Sequence, residues 1–434
     1  MKQAIFLLVT MAYAQPGAGP AEVLRLARER IVTSIKRLPK YTCIQTTNRS
    51  HYVPAKPHRG ETPCDQMIAD EKDGQKPMRL SVADRLRLDV AMGTEQEIYS
   101  WPGASRFDLT ELDQIVTTGT FSTGAFGADL IDIFDNDGTR YDFRGAENRD
   151  GHNVFVYGYA VAQSVSHSHV RDGPAWFTTG YSGTFEVDPE SFEIRRVTVQ
   201  TPELPVETRF CQTELTLDYR RTQIGDGFFP LPRQTQMHAI LRDGDESENT
   251  TTFTACREFQ AESVVSFSPP NAAAEAGAVS THPHPQIPPG LALELRLDTP
   301  IDTETSAVGD QVAATVARDV HARESKEIVI RAGAVAHGRV IRLEHHFLPF
   351  EYLVVGISFT RLERDGEPVP FRARLNGGGA PVTIVRSGSN LPPVLRPRTP
   401  VSPANAFEFP FEKRHVIAAG TVSNWITINP AKAP

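Results

Sequence analysis

The sequence predicts a mainly β protein with an N-terminal helix, of the α+β class. We expect a curved antiparallel sheet wrapped on the helix, then a Pro-rich linker and a small all-β barrel or sandwich. Three observations lead there: many short segments alternate apolar and polar residues, one segment has helical apolar spacing, and a Pro- and Ala-rich stretch divides the chain. With 434 residues the chain is also long enough for two domains.

Residues 21–38 form the clearest predicted helix. Five apolar residues recur at spacings of three and four and therefore share one face: Leu24, Ala27, Ile31, Ile35 and Leu38. Pro39 follows and ends the helix. A second, short helix is predicted near 125–134. A single amphipathic helix needs a surface on which to bury its apolar stripe.

Predicted strands supply that surface. Residues 85–92 alternate strictly, residues 153–162 are rich in aromatic and β-branched side chains, and residues 183–199 form a predicted hairpin. An apolar groove between such strands would be lined by side chains that an ordinary core would equally bury. These candidates are Leu86, Leu88, Val90, Val154, Val156, Phe185 and Val187.

The predicted domain plan has four parts. Residues 1–14 are a predicted signal peptide, 21–267 the sheet-plus-helix domain, 268–289 the linker, and 290–428 the small β domain. The signal prediction rests on Lys2, a short apolar run and the A-x-A sequence that ends at Ala14. No later stretch approaches the ~20 apolar residues of a membrane-spanning helix.

The stretch RAGAVAHGRV, 331–340, contains two glycines and a histidine, as a ligand-binding loop does. A phosphate-binding loop needs a helix after its glycines, because the helix N-terminus supplies the hydrogen-bond donors. Strand alternation continues here instead. We therefore interpret Gly333 as a turn and His337 as a strand residue.

Four cysteines agree with export: Cys43, Cys64, Cys211 and Cys256. None forms the C-x-x-C pair usual in zinc and thioredoxin-type sites. Four cysteines allow three connectivities. We favour the two sequence-local bridges, Cys43–Cys64 and Cys211–Cys256, each of which would stabilise the fold by roughly 3 kcal/mol.

His167 and His169 are the candidate metal ligands. Two residues apart in a strand, they would share one face, and two imidazoles can bind Zn²⁺ or Cu²⁺ if a further ligand converges. The alternative is an exposed polar face on an edge strand. No cofactor and no catalytic residue is predicted. The net charge of −8 disfavours nucleic-acid binding.

The first domain resembles LolA- and RseB-type envelope proteins. The resemblance is one of plan over roughly 230 residues: a helix, then YTCIQTTNRSHY, then a long antiparallel set that contains GTFEVDPESFEIRRV. It implies a curved sheet around a helix, with lipid or acylated peptide held in an apolar groove.

The second domain resembles the barrel of TrbI-type conjugation and secretion-channel proteins. The likeness covers roughly 60 residues, centred on a Gly-Asp step at Gly309 and Asp310 and on the turn Ile330-Arg331-Ala332-Gly333, where the family usually has Pro in place of Arg331. It implies a β-rich envelope module without catalytic residues.

Together these observations predict a non-enzymatic exported protein of the periplasm or cell envelope that binds a lipid, an acyl chain or a lipoprotein-like ligand. An adaptor of an envelope assembly with no small ligand is the alternative. A secreted hydrolase is a further alternative, because acid–base pairs are defined by geometry before spacing.

Overall fold

The computed structural model describes residues 18–56, 62–74, 77–92, 97–104, 107, 119–149, 151–201, 204–258, 287–364, 366–376, 406–410 and 416–429. The predicted signal peptide and most of the predicted linker lie outside these ranges. The helices are α1 (Pro20–Lys36), α2 (Cys64–Lys72) and α3 (Ala128–Phe134), with a 3₁₀ turn at Gln163–Val165.

The strands make the protein mainly β, as predicted. They are β1 (Tyr41–Pro54), β2 (Met78–Met92), β3 (Glu97–Ser100), β4 (Arg140–Arg149), β5 (His152–Val161), β6 (His169–Asp172), β7 (Ala175–Thr178), β8 (Tyr181–Val187), β9 (Ile194–Thr201), β10 (Phe210–Ile224), β11 (Gly227–Leu241), β12 (Glu246–Glu258), β13 (Ala292–Leu297), β14 (Ile301–Asp302), β15 (Gln311–Val316), β16 (Val320–His321), β17 (Ile328–Ile330), β18 (Val335–His346), β19 (Tyr352–Arg364), β20 (Glu367–Pro370), β21 (Ala373–Leu375), β22 (Ala406–Pro410), β23 (Val416–Ile417) and β24 (Val422–Thr427).

The chain divides into two compact units. The first comprises Met1–Leu38, Ala125–Pro205 and Glu214–Pro232, and the second comprises Pro39–Gly124, Val206–Thr213 and Arg233–Pro434. The bounds of these two units do not coincide with the domain boundary predicted at 268–289. Because most of that segment lies outside the described residues, the predicted domain boundaries stay a prediction.

The first unit packs α1 and α3 on an antiparallel sheet. β5 pairs with β4 and β8, β8 with β9, and β9 with β10. The Arg28 guanidinium on α1 donates to the carbonyl oxygen of Phe134 at the end of α3, at 3.1 Å and 3.2 Å. The Tyr157 hydroxyl on β5 donates to the carbonyl of Pro20 at 2.8 Å. The predicted helix-on-sheet arrangement is therefore present in this unit.

The buried face of α1 differs from the predicted one. Val23, Ala27 and Ile31 are buried, whereas Leu24 and Ile35 are only half-buried. Residues four apart are displaced by about 40° on the helix, so several overlapping stripes fit the same apolar residues. The stripe that the structure buries is the one that holds Val23, Ala27 and Ile31.

The second unit contains a large curved antiparallel sheet. β1 lies between β12 and β2, β12 also pairs with β11, and β2 also pairs with β3. β18 joins the same sheet through β2, with Glu344 opposite Asp84. The strands of the C-terminal part therefore continue the sheet that β1 and β2 begin.

These C-terminal strands curve around one apolar core. β18 pairs with β15 and β19, β15 with β13, β13 with β24, and β24 with β21. β19 also pairs with β20, and the amide of Phe371, the residue after β20, donates to the carbonyl of Thr360 on β19 at 3.1 Å. The described strands do not form a closed barrel, so the barrel form of the predicted barrel or sandwich is not confirmed.

The stretch 331–340 is a turn followed by the start of a strand, as predicted. β17 ends at Ile330 and β18 begins at Val335. Gly333 has a φ of +89°, which favours glycine. His337 lies in β18, where its Nε2 contacts a carboxylate oxygen of Glu363 at 2.8 Å.

Candidate apolar cavity

A cavity of about 340 Å³ lies within the second unit, between strands of its C-terminal part. Its volume falls within the range of small-molecule sites in proteins. The walls come from β13, β15, β19, β22, β23 and β24. The lining residues are Leu295, Leu297, Ala314, Ile357, Phe359, Phe407, Val416, Ile417, Thr421, Val422, Ser423 and Trp425.

Strand alternation explains why the walls are apolar. On β13, Leu295 and Leu297 are buried while Arg296 between them is exposed. On β19, Ile357 and Phe359 are buried on one face, while Ser358 between them is half-buried. Because successive side chains point to opposite faces of a strand, each alternating segment gives the cavity an apolar wall.

Trp425 forms the aromatic floor of the cavity. It is 1% exposed and meets Phe359 edge-on at 5.1 Å between ring centroids. The Phe407 ring also meets the Trp425 ring edge-on, with centroids 6.3 Å apart. Such edge-to-face pairs are favourable beyond their burial and hold the rings in place.

The polar atoms of the lining already have partners within the protein. The indole Nε1 of Trp425 donates to Ser423 Oγ at 2.8 Å, and Thr421 Oγ1 donates to the carbonyl of Ala418 at 2.7 Å. An occupant therefore gains little from polar groups of its own and would lose their hydration. Val416 and Val422 are 43% and 52% exposed, so the apolar lining reaches the protein surface.

A second, more polar cavity of about 380 Å³ lies beside the Gly309–Asp310 step. Asp310 and Gln311 contribute to its wall together with Ser306 and Thr299. The Asp310 carboxylate pairs with Arg87 at 2.5 Å and accepts from the amide of Ala307 at 2.8 Å. The Asp310 carboxylate therefore links the loop between β14 and β15 to β2.

None of the seven residues predicted as groove lining lines either of these two cavities. All are buried, from 0% exposed for Leu88, Phe185 and Val187 to 6% for Val156. Sequence reasoning missed the cavity that the structure contains. Its signal was present in the alternation of 293–297 and in Trp425, but nothing in the sequence indicates that these strands curve around unfilled space.

The structure corrects the favoured cysteine pairing. The bridges are Cys43–Cys256 and Cys64–Cys211, which span 213 and 147 residues. β1 and β12 are neighbours, so Cys43 near the start of β1 meets Cys256 near the end of β12. The sequence-local bridges were wrong because strand pairing, and not sequence distance, decides which cysteines meet.

The two candidate metal ligands lie at the start of a small hairpin. His167 precedes β6, and His169 is its first residue. Nδ1 of His167 lies 2.7 Å from Oδ1 of Asp132. Within the described ranges no three His, Cys, Asp or Glu side chains are grouped to hold a metal ion.

None of the helices in the described ranges has the length and apolarity needed to span a bilayer. No protein-family model and no curated protein matches the sequence.

Three solved structures are similar to the chain. They are a LolA superfamily protein from Nitrosomonas europaea (12% identity, 56% of this chain and 94% of that chain, TM-score 0.24), a DUF1329 family protein from Desulfovibrio piger (11%, 57% and 96%, TM-score 0.28) and the Mycobacterium tuberculosis lipoprotein LppX (9%, 56% and 99%, TM-score 0.21). One belongs to the superfamily that the first part of the sequence resembles. At these TM-scores the likenesses carry no statement about ligand or activity.

Proposed function

We propose that this protein is an exported, non-enzymatic envelope protein that binds the hydrocarbon chain of a lipid or acyl group. The observation that carries the proposal is the apolar cavity of the second unit. Burying each methylene of such a chain is favourable by about 0.8 kcal/mol. Because the polar lining atoms have partners already, the cavity favours a plain alkyl chain over a polar ligand.

The two disulfides support the exported location. Disulfides persist in the periplasm and outside the cell and are rare in the reducing cytoplasm. Both bridges join cysteines far apart in sequence, which folding brings together. We expect the predicted signal peptide, residues 1–14, to direct this export.

The test is binding of palmitate to the full chain recovered from a bacterial periplasm. Native mass spectrometry detects any lipid that the protein carries from the cell. Calorimetric titration of the delipidated protein measures its affinity for palmitate directly. We expect one palmitate per chain. A protein that carries no lipid and shows no heat of binding would contradict the proposal and favour the adaptor alternative.

Ala314 offers a matched pair of variants. Ala314 is 1% exposed and lines the cavity, whereas the neighbouring Ala313 is half-buried on the opposite face of β15. Ala314→Phe fills the cavity and should weaken palmitate binding at least ten-fold. Ala313→Phe adds the same ring outside the cavity and should bind as the wild type does. Equal affinities for the two variants would place the ligand elsewhere.

A further inference from the structure

The buried carboxylate of Asp132 on α3 accepts four hydrogen bonds. Its Oδ2 accepts from the Tyr181 hydroxyl at 2.7 Å and from the backbone amide of His167 at 3.1 Å. Its Oδ1 accepts from Nδ1 of His167 at 2.7 Å and from the side-chain amide of Asn136 at 3.2 Å. The carboxylate is therefore held rigidly, and it holds the His167 ring in turn.

This contact leaves the other ring nitrogen of His167 facing outward. The imidazole is 82% exposed, while the Asp132 side chain is 9% exposed. With Nδ1–H donated to the carboxylate, Nε2 carries the lone pair, and no described residue is bonded to it. Histidines that ligate metals are oriented in this way, by a carboxylate that accepts from the second ring nitrogen.

His169 follows His167 by two residues, and the pairing of Ser168 between them is expected to place both rings on the same side of the chain. The carbonyl of Ser168 accepts from the amide of Thr179 at 3.1 Å, which extends the β6–β7 ladder by one residue before His169. Residues on either side of an extended residue project to the same face. His169 is also exposed, and its ring lies 6.4 Å from the Trp176 ring across the hairpin.

We propose that His167 and His169 together bind a divalent transition-metal cation, Cu²⁺ more tightly than Zn²⁺. Imidazole suits both ions, and Cu²⁺ stands above Zn²⁺ in the general affinity order. Asp132 is the positioning residue for His167, and water completes the coordination. Arg171 shares the hairpin, with its guanidinium 5.1 Å from the Trp176 ring, and its charge opposes the cation.

Trp176 provides a local reporter for this site. It is 59% exposed, whereas Trp425 is buried, and Cu²⁺ bound at His169 quenches the fluorescence of an adjacent indole. The experiment titrates CuSO₄ into the full disulfide-bonded chain and follows tryptophan emission. We expect saturable quenching that is absent in Trp176→Phe, and weaker binding of ZnCl₂ measured by competition.

Five variants, two of them controls, define the ligands and the positioning residue. His167→Ala and His169→Ala should each weaken Cu²⁺ binding at least ten-fold, and His152→Ala, an exposed histidine of β5, should not change it. Asp132→Asn should weaken binding by roughly ten-fold, as loss of an orienting carboxylate does elsewhere. Tyr181→Phe removes a different bond to Asp132 and should bind as the wild type does.

Quenching that is linear in Cu²⁺, or equal affinity in wild type, His167→Ala and His169→Ala, would overturn the proposal. If Asp132→Asn and Tyr181→Phe weaken binding equally, Asp132 acts on the local fold and does not position His167. Arg171→Gln adds an independent check, because removing the opposing charge should tighten Cu²⁺ binding by several-fold.

Discussion

Gly309 lies where the loop between β14 and β15 meets β2. Its φ is +103°, and a Cβ atom there would overlap the carbonyl oxygen of Arg87 and crowd the Trp101 ring. The amide of Arg87 donates to the carbonyl of Val308 at 2.8 Å, and Arg87 also pairs with Asp310. The Gly-Asp step that the sequence singled out therefore secures this loop to β2.

Gly309→Ala should lower the free energy of unfolding by more than about 2 kcal/mol, because backbone strain of roughly 1–3 kcal/mol adds to the overlap with Arg87. Gly333→Ala is the matched control. Gly333 also has a positive φ, +89°, but no atom lies within 4 Å of its missing Cβ. The control should cost only the strain of the positive φ, about 1–2 kcal/mol. Urea unfolding of both variants measures the difference, and equal losses would refute the close-approach argument.

Glu344 is a half-buried carboxylate on β18, with its side chain 16% exposed. Burial raises its pKa, but hydrogen bonds from His346 at 2.7 Å and from Arg342 at 2.6 Å and 2.8 Å outweigh burial and lower the pKa to about 2. Because folding lowers the pKa of Glu344 from its ordinary value of 4.5, the contribution of Glu344 to stability is fully present above pH 4.5. It is lost as the pH falls from 4.5 towards 2.

Glu344→Gln should therefore reduce stability at pH 7 by an amount on the order of 3 kcal/mol and flatten the pH dependence between pH 4.5 and 2. Urea midpoints across this pH range measure both effects. Glu351→Gln, which alters an exposed pair with His345, should change stability by less than about 1 kcal/mol. A wild-type curve as flat as that of Glu344→Gln would contradict this account.

Among the helices and strands, the short helix α2 depends on a disulfide bridge for its place in the fold. Cys64 is the first residue of α2, and its bridge to Cys211 ties this nine-residue helix to the start of β10. So short a helix is not stable alone in water. The bridge and the burial of Met67 therefore provide the stability that so short a helix does not have alone.

Removing either bridge should cost about 5 kcal/mol by the loop-closure relation, since each loop exceeds 100 residues. Cys64→Ser/Cys211→Ser and Cys43→Ser/Cys256→Ser, measured by thermal unfolding, test this. Non-reducing peptide mapping tests the connectivity itself. A peptide joining Cys43 to Cys64 would show that the pairing described above is not the one formed in the protein.

At the scale of the whole molecule, the oxidation state should depend on where the chain folds. Chain made in a reducing cytoplasm without residues 1–14 should carry four free thiols and unfold at a lower temperature than periplasmic chain. Thiol titration with and without denaturant, together with calorimetry, measures this. Equal unfolding temperatures for the two preparations would argue that the bridges do not constrain the native molecule.

Much of the fold was predictable because its signals are local. Alternation in 85–92 and 153–162 predicted strands that the structure contains, and the spacing in 21–38 predicted α1. Alternation says which side chains share a face but not what covers that face. Leu86 and Leu295 alternate alike, yet only Leu295 lines a cavity.

Local patterns were enough to predict the β-rich class, helix α1 and the turn at Gly333. Only the folded chain shows that Cys43 meets Cys256, that Asp132 is hydrogen-bonded to His167, and that six strands line an apolar cavity. The reason is physical: periodicity reports interactions among residues a few positions apart. Contacts between residues separated by more than 100 positions depend on which strands pair and how the sheet curves.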